Sequence, residues 1–210
     1  MLQRYGRQAP ITLLLISVNL VLWIITALQA RSIEYSYVGS ELAHSWALWG
    51  PDFQHEPWLA LTSAFMHVGA GHVLVNMIVL LFIGREVETY LGSGLYALAY
   101  VISALGASAT ILWLDFTTPT VGASGAIFAL MALLIGVHRQ RGADLRAPII
   151  FVLVNVVYTF LSTGVSLWGH LGGLFTGLAL MPFLFSPRND VRWFGTLAIG
   201  AVVVGLLFLR

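Results

Sequence analysis

The sequence contains no cysteine and no lysine. Without cysteine there are no disulfides, thiolate nucleophiles or thiolate metal sites. Without lysine there is no Ser-Lys dyad and no Schiff-base chemistry, so all ten basic residues are arginine. Charge of both signs is scarce. Charged residues make up 9% of the 210 residues, against ~25% in soluble domains. That is too little to cover a globular surface, and the apolar content is too high for disorder. A net charge of +1 and the lack of any basic cluster argue against nucleic acid as a partner. What is present is apolar: 59% of residues are hydrophobic and the mean hydropathy is +0.88. The solvent for most of this chain is the lipid bilayer.

A helix needs about 20 apolar residues to cross a bilayer. Seven runs approach that length. They are Ile11–Ala30, about Val68–Ile83, about Leu95–Leu114, Ser124 to just before His138, about Pro148–Leu161, about Leu167–Phe185, and Trp193–Leu209. The fourth and fifth are short, which a shielded position in a bundle or a thinned membrane tolerates. The second is expected to end before the charged stretch Arg85-Glu86-Val87-Glu88. The first run is longer than a signal-peptide core of 7–15 residues, so it is read as an uncleaved span. The reading is an all-α polytopic membrane protein forming one membrane domain over 1–210. Its core covers about 10–186, with an extra C-terminal span over about 191–210.

Arginine placement sets the orientation. With the N-terminus in the cytoplasm, that side carries Arg4, Arg7, Arg85, Arg139, Arg141, Arg146, Arg188 and Arg192, and the outer side only Arg31 and Arg210. The expectation is therefore N-in and C-out, in a plasma (inner) membrane; compact size without a targeting extension suits a bacterial one. The first outer loop, about Arg31–His67, is net acidic. With Trp46, Trp49 and Trp58 it is expected at the membrane interface, where indole is favoured.

Polar side chains within membrane spans are costly and point to function. The second run opens with His67, His72 and Asn76; the last two are four apart and share a helix face. The fourth opens with Gly122-Ala123-Ser124-Gly125 and the sixth carries His170 near its start. These three spans run in the same direction. Asn76, His72, Ser124 and His170 therefore fall in one layer, roughly 0–12 Å below the outer helix ends at ~1.5 Å per residue. Small residues at Gly169, Gly173 and Gly177 on one span, and at Gly125, Ala129, Ala132 and Gly136 on the other, let two backbones approach closely. If those spans touch, Ser124 and His170 come within hydrogen-bond reach, which is how a serine nucleophile is activated by a histidine base.

Each signal alone has a plainer reading. A serine at a helix start is a cap, an intramembrane histidine can be a packing residue, and Asn76 can simply hold helices together at ~1 kcal/mol. His67, His72 and His170 could bind a metal, but no carboxylate lies at their depth to support one. No metal or cofactor is expected. It is the joint pattern, in one order at one depth, that carries weight.

At these residues the chain resembles the rhomboid family of intramembrane serine proteases. The likeness covers about Trp58–Phe185. It rests on His67-x4-His72-x3-Asn76, Gly122-x-Ser124-Gly125 and His170-x-x-Gly173, with Glu88-x-x-Leu91-Gly92-Ser93 similar to the element that opens the third helix. The resemblance implies a six-helix bundle with a seventh C-terminal span. It also implies that Ser124 is the nucleophile and His170 the general base. Asn76 and His72, with the Ser124 backbone N–H, hold the oxyanion. Gly122 and Gly125 form the tight turn into the fourth helix, and His67 supports the nearby loop end. Two departures stand out. Phe128 occupies a position where many members have Tyr, so ring packing on His170 is retained without the hydroxyl. Leu59 follows Trp58 where many members have arginine, which weakens polar anchoring of the first outer loop, for which Glu88 is a candidate partner.

Asp115, in the loop before Ser124, is the one acid near the outer ends of these helices. A dyad is therefore expected, with His170 oriented by packing on Phe128. The implied substrates are transmembrane or membrane-anchored proteins, cleaved where the chain leaves helix. The fifth span and the uncharged loop Ser162–Trp168 are the expected gate and lid. Competing readings are a sorting protease for C-terminal anchors and a non-catalytic binder of membrane clients. A transporter fits less well, because it would place its polar groups at the midplane. Oligomeric state is not legible.

Overall fold

The computed structural model describes residues 8–209. Arg4, Arg7 and Arg210, which entered the orientation argument, lie outside the described residues. The helices are α1 (Pro10–Ala30), α2 (Glu41–Trp46), α3 (Gly50–Phe53), α4 (Leu59–Thr62), α5 (Ala70–Leu91), α6 (Ser93–Leu114), α7 (Ser124–Gln140), α8 (Arg146–Leu161), α9 (Leu167–Leu184) and α10 (Asn189–Phe208). Five of them, α1, α5, α6, α9 and α10, are long and apolar enough to cross a membrane, and α7 and α8 are shorter apolar helices. The seven sequence runs thus become seven helices, and the two expected to be short are short. The protein is an all-α polytopic membrane bundle.

The second helix runs further than its hydropathy. It passes through a π-turn at Leu80–Gly84 and continues as Arg85–Leu91, so the expected end at Ile83 is corrected. The charges are tolerated because each has a partner. Arg141 reaches Glu86 at 2.6 Å, and Arg85 donates to Gln8 at 2.7 Å. The Glu88 carboxylate, only 1% exposed, accepts from the Ile11 N–H at 3.0 Å, the Thr12 N–H at 2.7 Å, the Thr12 hydroxyl at 2.8 Å and the Ser93 hydroxyl at 2.6 Å. It caps the start of α1, where helix N–H groups have no intrahelical acceptor and the helix dipole favours an anion. The suggested link between Glu88 and the first outer loop is therefore also corrected. Glu88 sits at the far end of the bundle from that loop, and its acceptor sites are taken.

Of the five helices long enough to cross a membrane, α6 is the most enclosed, buried over 61% of its apolar window. Its buried face is built from small residues, among them Ala99, Ser103, Gly106 and Ala107. α7 and α9 pack against it and against each other. A Cβ at Gly173 would run into the carbonyl oxygen of Gly125, and one at Gly177 would come 2.6 Å from that of Ala129. The expected small-residue contact is thus present at Gly125–Gly173 and Ala129–Gly177. Gly169 instead faces Ile111 of α6, and Gly136 faces Phe185. α8 lies at the periphery and buries only Pro148, Val152 and Thr159. α10 leans on α6 and α9. Between α1 and α5 the chain folds into α2–α4, whose Leu48, Phe53, Leu59 and Ala60 form a second apolar cluster with Ile111 and Leu112 of α6. Trp49 and Trp58 are exposed.

Replacing Gly173 by Leu forces α9 away from α7. Overpacking of this kind costs about 1–3 kcal/mol, and thermal unfolding in detergent, followed by circular dichroism, is expected to show a lowered midpoint. Glu88→Ala orphans two backbone donors at about 1–3 kcal/mol each, with a similar fall by the same measurement.

Candidate active site

The segments that begin α5, α7 and α9 are tied down from outside the helices. The turn before α7 is zipped to the first loop by a short antiparallel bridge between Leu48 and Thr120, and the Gly50 N–H donates to the Phe116 carbonyl at 3.0 Å. The Gly122 N–H donates to the Ser63 carbonyl at 2.9 Å. Gly122 adopts φ +136°, a conformation closed to residues with a Cβ. A Cβ there would also come 2.8 Å from the His72 ring. The chain therefore turns sharply at Gly122, and Ser124 becomes the first residue of α7. Gly125 takes no part in the turn that the resemblance implied: it is helical, with no positive φ, and it serves the expected small-residue contact with α9 and a close approach to Ala107. The start of α5 is held by the Ala70 N–H donating to the Ile33 carbonyl at 2.9 Å and by the Ser36 hydroxyl donating to the His67 carbonyl at 3.2 Å. α9 is capped by Ser166, whose hydroxyl accepts from the Gly169 N–H at 3.1 Å.

With the helix starts fixed and α7 pressed on α9, Ser124 Oγ lies 2.8 Å from His170 Nε2. The Phe128 ring stacks on the imidazole, with centroids 4.1 Å apart and planes inclined by 17°. Phe128 is four residues after Ser124, one turn along α7, which aligns the ring with the base.

Ser124, His170, His72 and Gly122 line a cavity of about 420 Å³, with Ser63, Ser108, Asp115 and Ser166 adding polar walls. The loop segment 163–168 also lines it. Asp115 makes no hydrogen bond to Ser124 or His170; its carboxylate accepts from the Thr118 hydroxyl at 2.6 Å. Asn76 and His67 connect to the cavity wall through His72. The Asn76 side-chain amide donates to His67 Nε2 at 3.1 Å, and the His67 and His72 rings meet edge to face at 4.9 Å. His67 is thereby more than a loop support: it fixes the orientation of the Asn76 amide. Gly173 contributes only through the helix contact described above.

One side chain at the site was missed by sequence reasoning. Thr159 Oγ1, on α8, lies 2.7 Å from His170 Nδ1. Its signal was faint but present: Asn155 and Thr159 are spaced by four on an otherwise apolar helix, so they share a face.

A serine hydroxyl against an imidazole nitrogen, at the start of a helix and beside a polar cavity, can perform nucleophilic acyl transfer. Comparison with known proteins points to one family. The Rhomboid domain family matches residues 54–187. The chain is 32% identical over 148 residues to the RHOMBOID-like protein 1 of Arabidopsis thaliana, covering 67% of this chain and 38% of that protein. It is 30% identical over 164 residues to the Rhomboid protease GluP of Bacillus subtilis, covering 74% of this chain and 32% of the relative. Against the Rhomboid protease GlpG of Salmonella typhi it is 31% identical over 176 residues, covering 76% and 61%. The chain thus spans between about a third and three fifths of the length of these relatives. With the match extending from the first loop through α9, this multi-pass membrane protein belongs to the rhomboid family.

Proposed function

We propose that this chain is an intramembrane serine endopeptidase that hydrolyses peptide bonds in or near the membrane spans of other proteins. The observation that carries the reading is the 2.8 Å contact between Ser124 Oγ and His170 Nε2 beside a polar cavity in a bundle of apolar helices. In the reaction, Ser124 Oγ attacks the scissile carbonyl carbon as its proton passes to His170 Nε2. The carbonyl π electrons move to oxygen, giving a tetrahedral oxyanion. Its donors are the Ser124 backbone N–H, left without an intrahelical acceptor at the start of α7, the Asn76 amide hydrogen not committed to His67, and His72. The α7 dipole adds a favourable field. The imidazolium then protonates the departing amine, leaving an acyl-enzyme. Water entering through the polar cavity is deprotonated by His170, attacks the ester and restores Ser124.

Substrates are transmembrane or membrane-anchored proteins, because the cavity opens within a bundle whose flanks are apolar. A segment must leave helix to present its carbonyl, so Gly or Pro near the scissile bond favours cleavage. The arginine bias supports a cytoplasmic N-terminus with the cavity toward the outer leaflet. The peripheral α8 and the loop 162–168 admit the substrate.

Ser124→Ala is expected to abolish cleavage of a membrane-anchored reporter in proteoliposomes and labelling by a fluorophosphonate. Asn76→Ala, which removes one oxyanion donor, is expected to lower kcat by ~10²–10³. Cleavage surviving in Ser124→Ala would sink the reading. Orientation is testable because the chain has no cysteine of its own. Gln54→Cys, in the first loop, is expected to react with an impermeant maleimide added to intact spheroplasts, and Ala143→Cys, between α7 and α8, only after lysis.

A further inference from the structure

Nothing so far explains which nitrogen of His170 carries the proton. A neutral imidazole has one N–H and one lone pair, and only the lone pair on Nε2 can take the serine proton. The tautomer is set by whatever Nδ1 meets. Here that is Thr159 Oγ1 at 2.7 Å. The same oxygen lies 2.9 Å from the Asn155 carbonyl, one turn back along α8.

The hydroxyl has a single hydrogen, and the carbonyl can only accept. Directing that hydrogen to Asn155 satisfies the carbonyl and leaves a Thr159 lone pair facing Nδ1, which must then donate. The reverse assignment would set two acceptor oxygens against each other at 2.9 Å with no proton between them. We propose that Thr159 is a positioning residue that holds His170 as the Nδ1–H tautomer, with its Nε2 lone pair directed at Ser124. The inference deepens the protease reading and rests on it.

Stacking on Phe128 and the Thr159 bond divide the task. A ring face fixes the imidazole plane but is indifferent to which edge nitrogen is protonated, whereas a hydroxyl whose own proton is committed elsewhere is not. Thr159 is buried and does not line the cavity, so it contributes no substrate contact. It is also one of only three buried residues on α8. Displacing α8 therefore breaks the bond, and the tautomer of the base depends on the position of that peripheral helix.

The test uses Thr159→Val, which keeps the shape without the hydroxyl, and Thr159→Ser, which restores a hydroxyl at the same place. In proteoliposomes, Thr159→Val is expected to lower kcat by ~10–100-fold, within the ~10²–10⁴ that general base catalysis supplies, with KM unchanged. Thr159→Ser is expected to return kcat close to that of the parent. Nitrogen-15 NMR of histidine-labelled protein, with His170 assigned by difference against His170→Ala, should show the proton on Nδ1 in the parent and in Thr159→Ser. A mixture of tautomers should appear in Thr159→Val. A parent spectrum with the proton on Nε2 overturns the inference even if the valine variant fails to fold. So does a valine variant with parental kcat and spectrum while Ser124→Ala is inactive, and that result leaves the protease reading standing. Failure of the protease reading shows itself separately, as cleavage by Ser124→Ala.

Discussion

Everything at the site depends on how closely two helices meet. Gly125 and Gly173 touch backbone to backbone, with no room for a Cβ between them. Side chains of Ser and His are short, and a hydrogen bond tolerates only tenths of an ångström. An α7–α9 separation set by larger residues would leave Ser124 and His170 too far apart to bond. In lipid no hydrophobic force drives helices together, so close packing of small residues supplies the attraction that water would supply elsewhere. The same contact that stabilises the bundle therefore sets the separation of Ser124 and His170, through the residue that follows Ser124 and the residue three beyond His170.

The two ends of the bundle handle polar groups in opposite ways. At the far end, Glu88 is enclosed and saturated by donors from α1 and Ser93, and its task is to anchor one helix to another. At the site end, Ser124, His72 and His170 face a cavity. Intramembrane polar groups are tolerated either when protein satisfies them or when they line a wet space. Glu88 takes the first route and the reactive pair the second. That contrast separates a buried charge that serves architecture from polar groups that line a cavity, a distinction residue type alone does not make.

The sequence was most legible where chemistry constrains it. Seven apolar runs, the common depth of His72, Asn76, Ser124 and His170, and the small-residue contact between two spans followed from hydropathy, topology and spacing. Hydropathy failed at Arg85–Leu91, where the helix continues through charges because Gln8, Thr12, Ser93 and Arg141 answer them; such pairing is long-range and leaves no trace in a window of residues. Gly125 was read both as part of the turn, which the resemblance implied, and as part of the small-residue contact; only Gly122 has the backbone conformation that requires glycine, and Gly125 serves the contact. Thr159 was missed because it acts across helices. Nothing local distinguishes it from other threonines that bond back to their own helix.

The proposed orientation of His170 also bears on how the proposed dyad dispenses with a carboxylate. In a soluble enzyme an acid beside the histidine holds the tautomer and stabilises the imidazolium. At membrane depth an ionised acid carries a desolvation cost of several kcal/mol unless fully partnered, and Asp115, the acid nearest Ser124 along the chain, is held by Thr118 at the cavity wall. A threonine hydroxyl is neutral, so burying it leaves no unpaired charge when the histidine is displaced. Its lone pair can meet Nδ1–H in both the neutral and the protonated ring, with the stronger bond to the cation because that bond is charge-assisted. The proposed pair of Phe128 stacking and Thr159 bonding thus supplies the orienting half of what a carboxylate does, at a depth where the electrostatic half would be expensive to maintain.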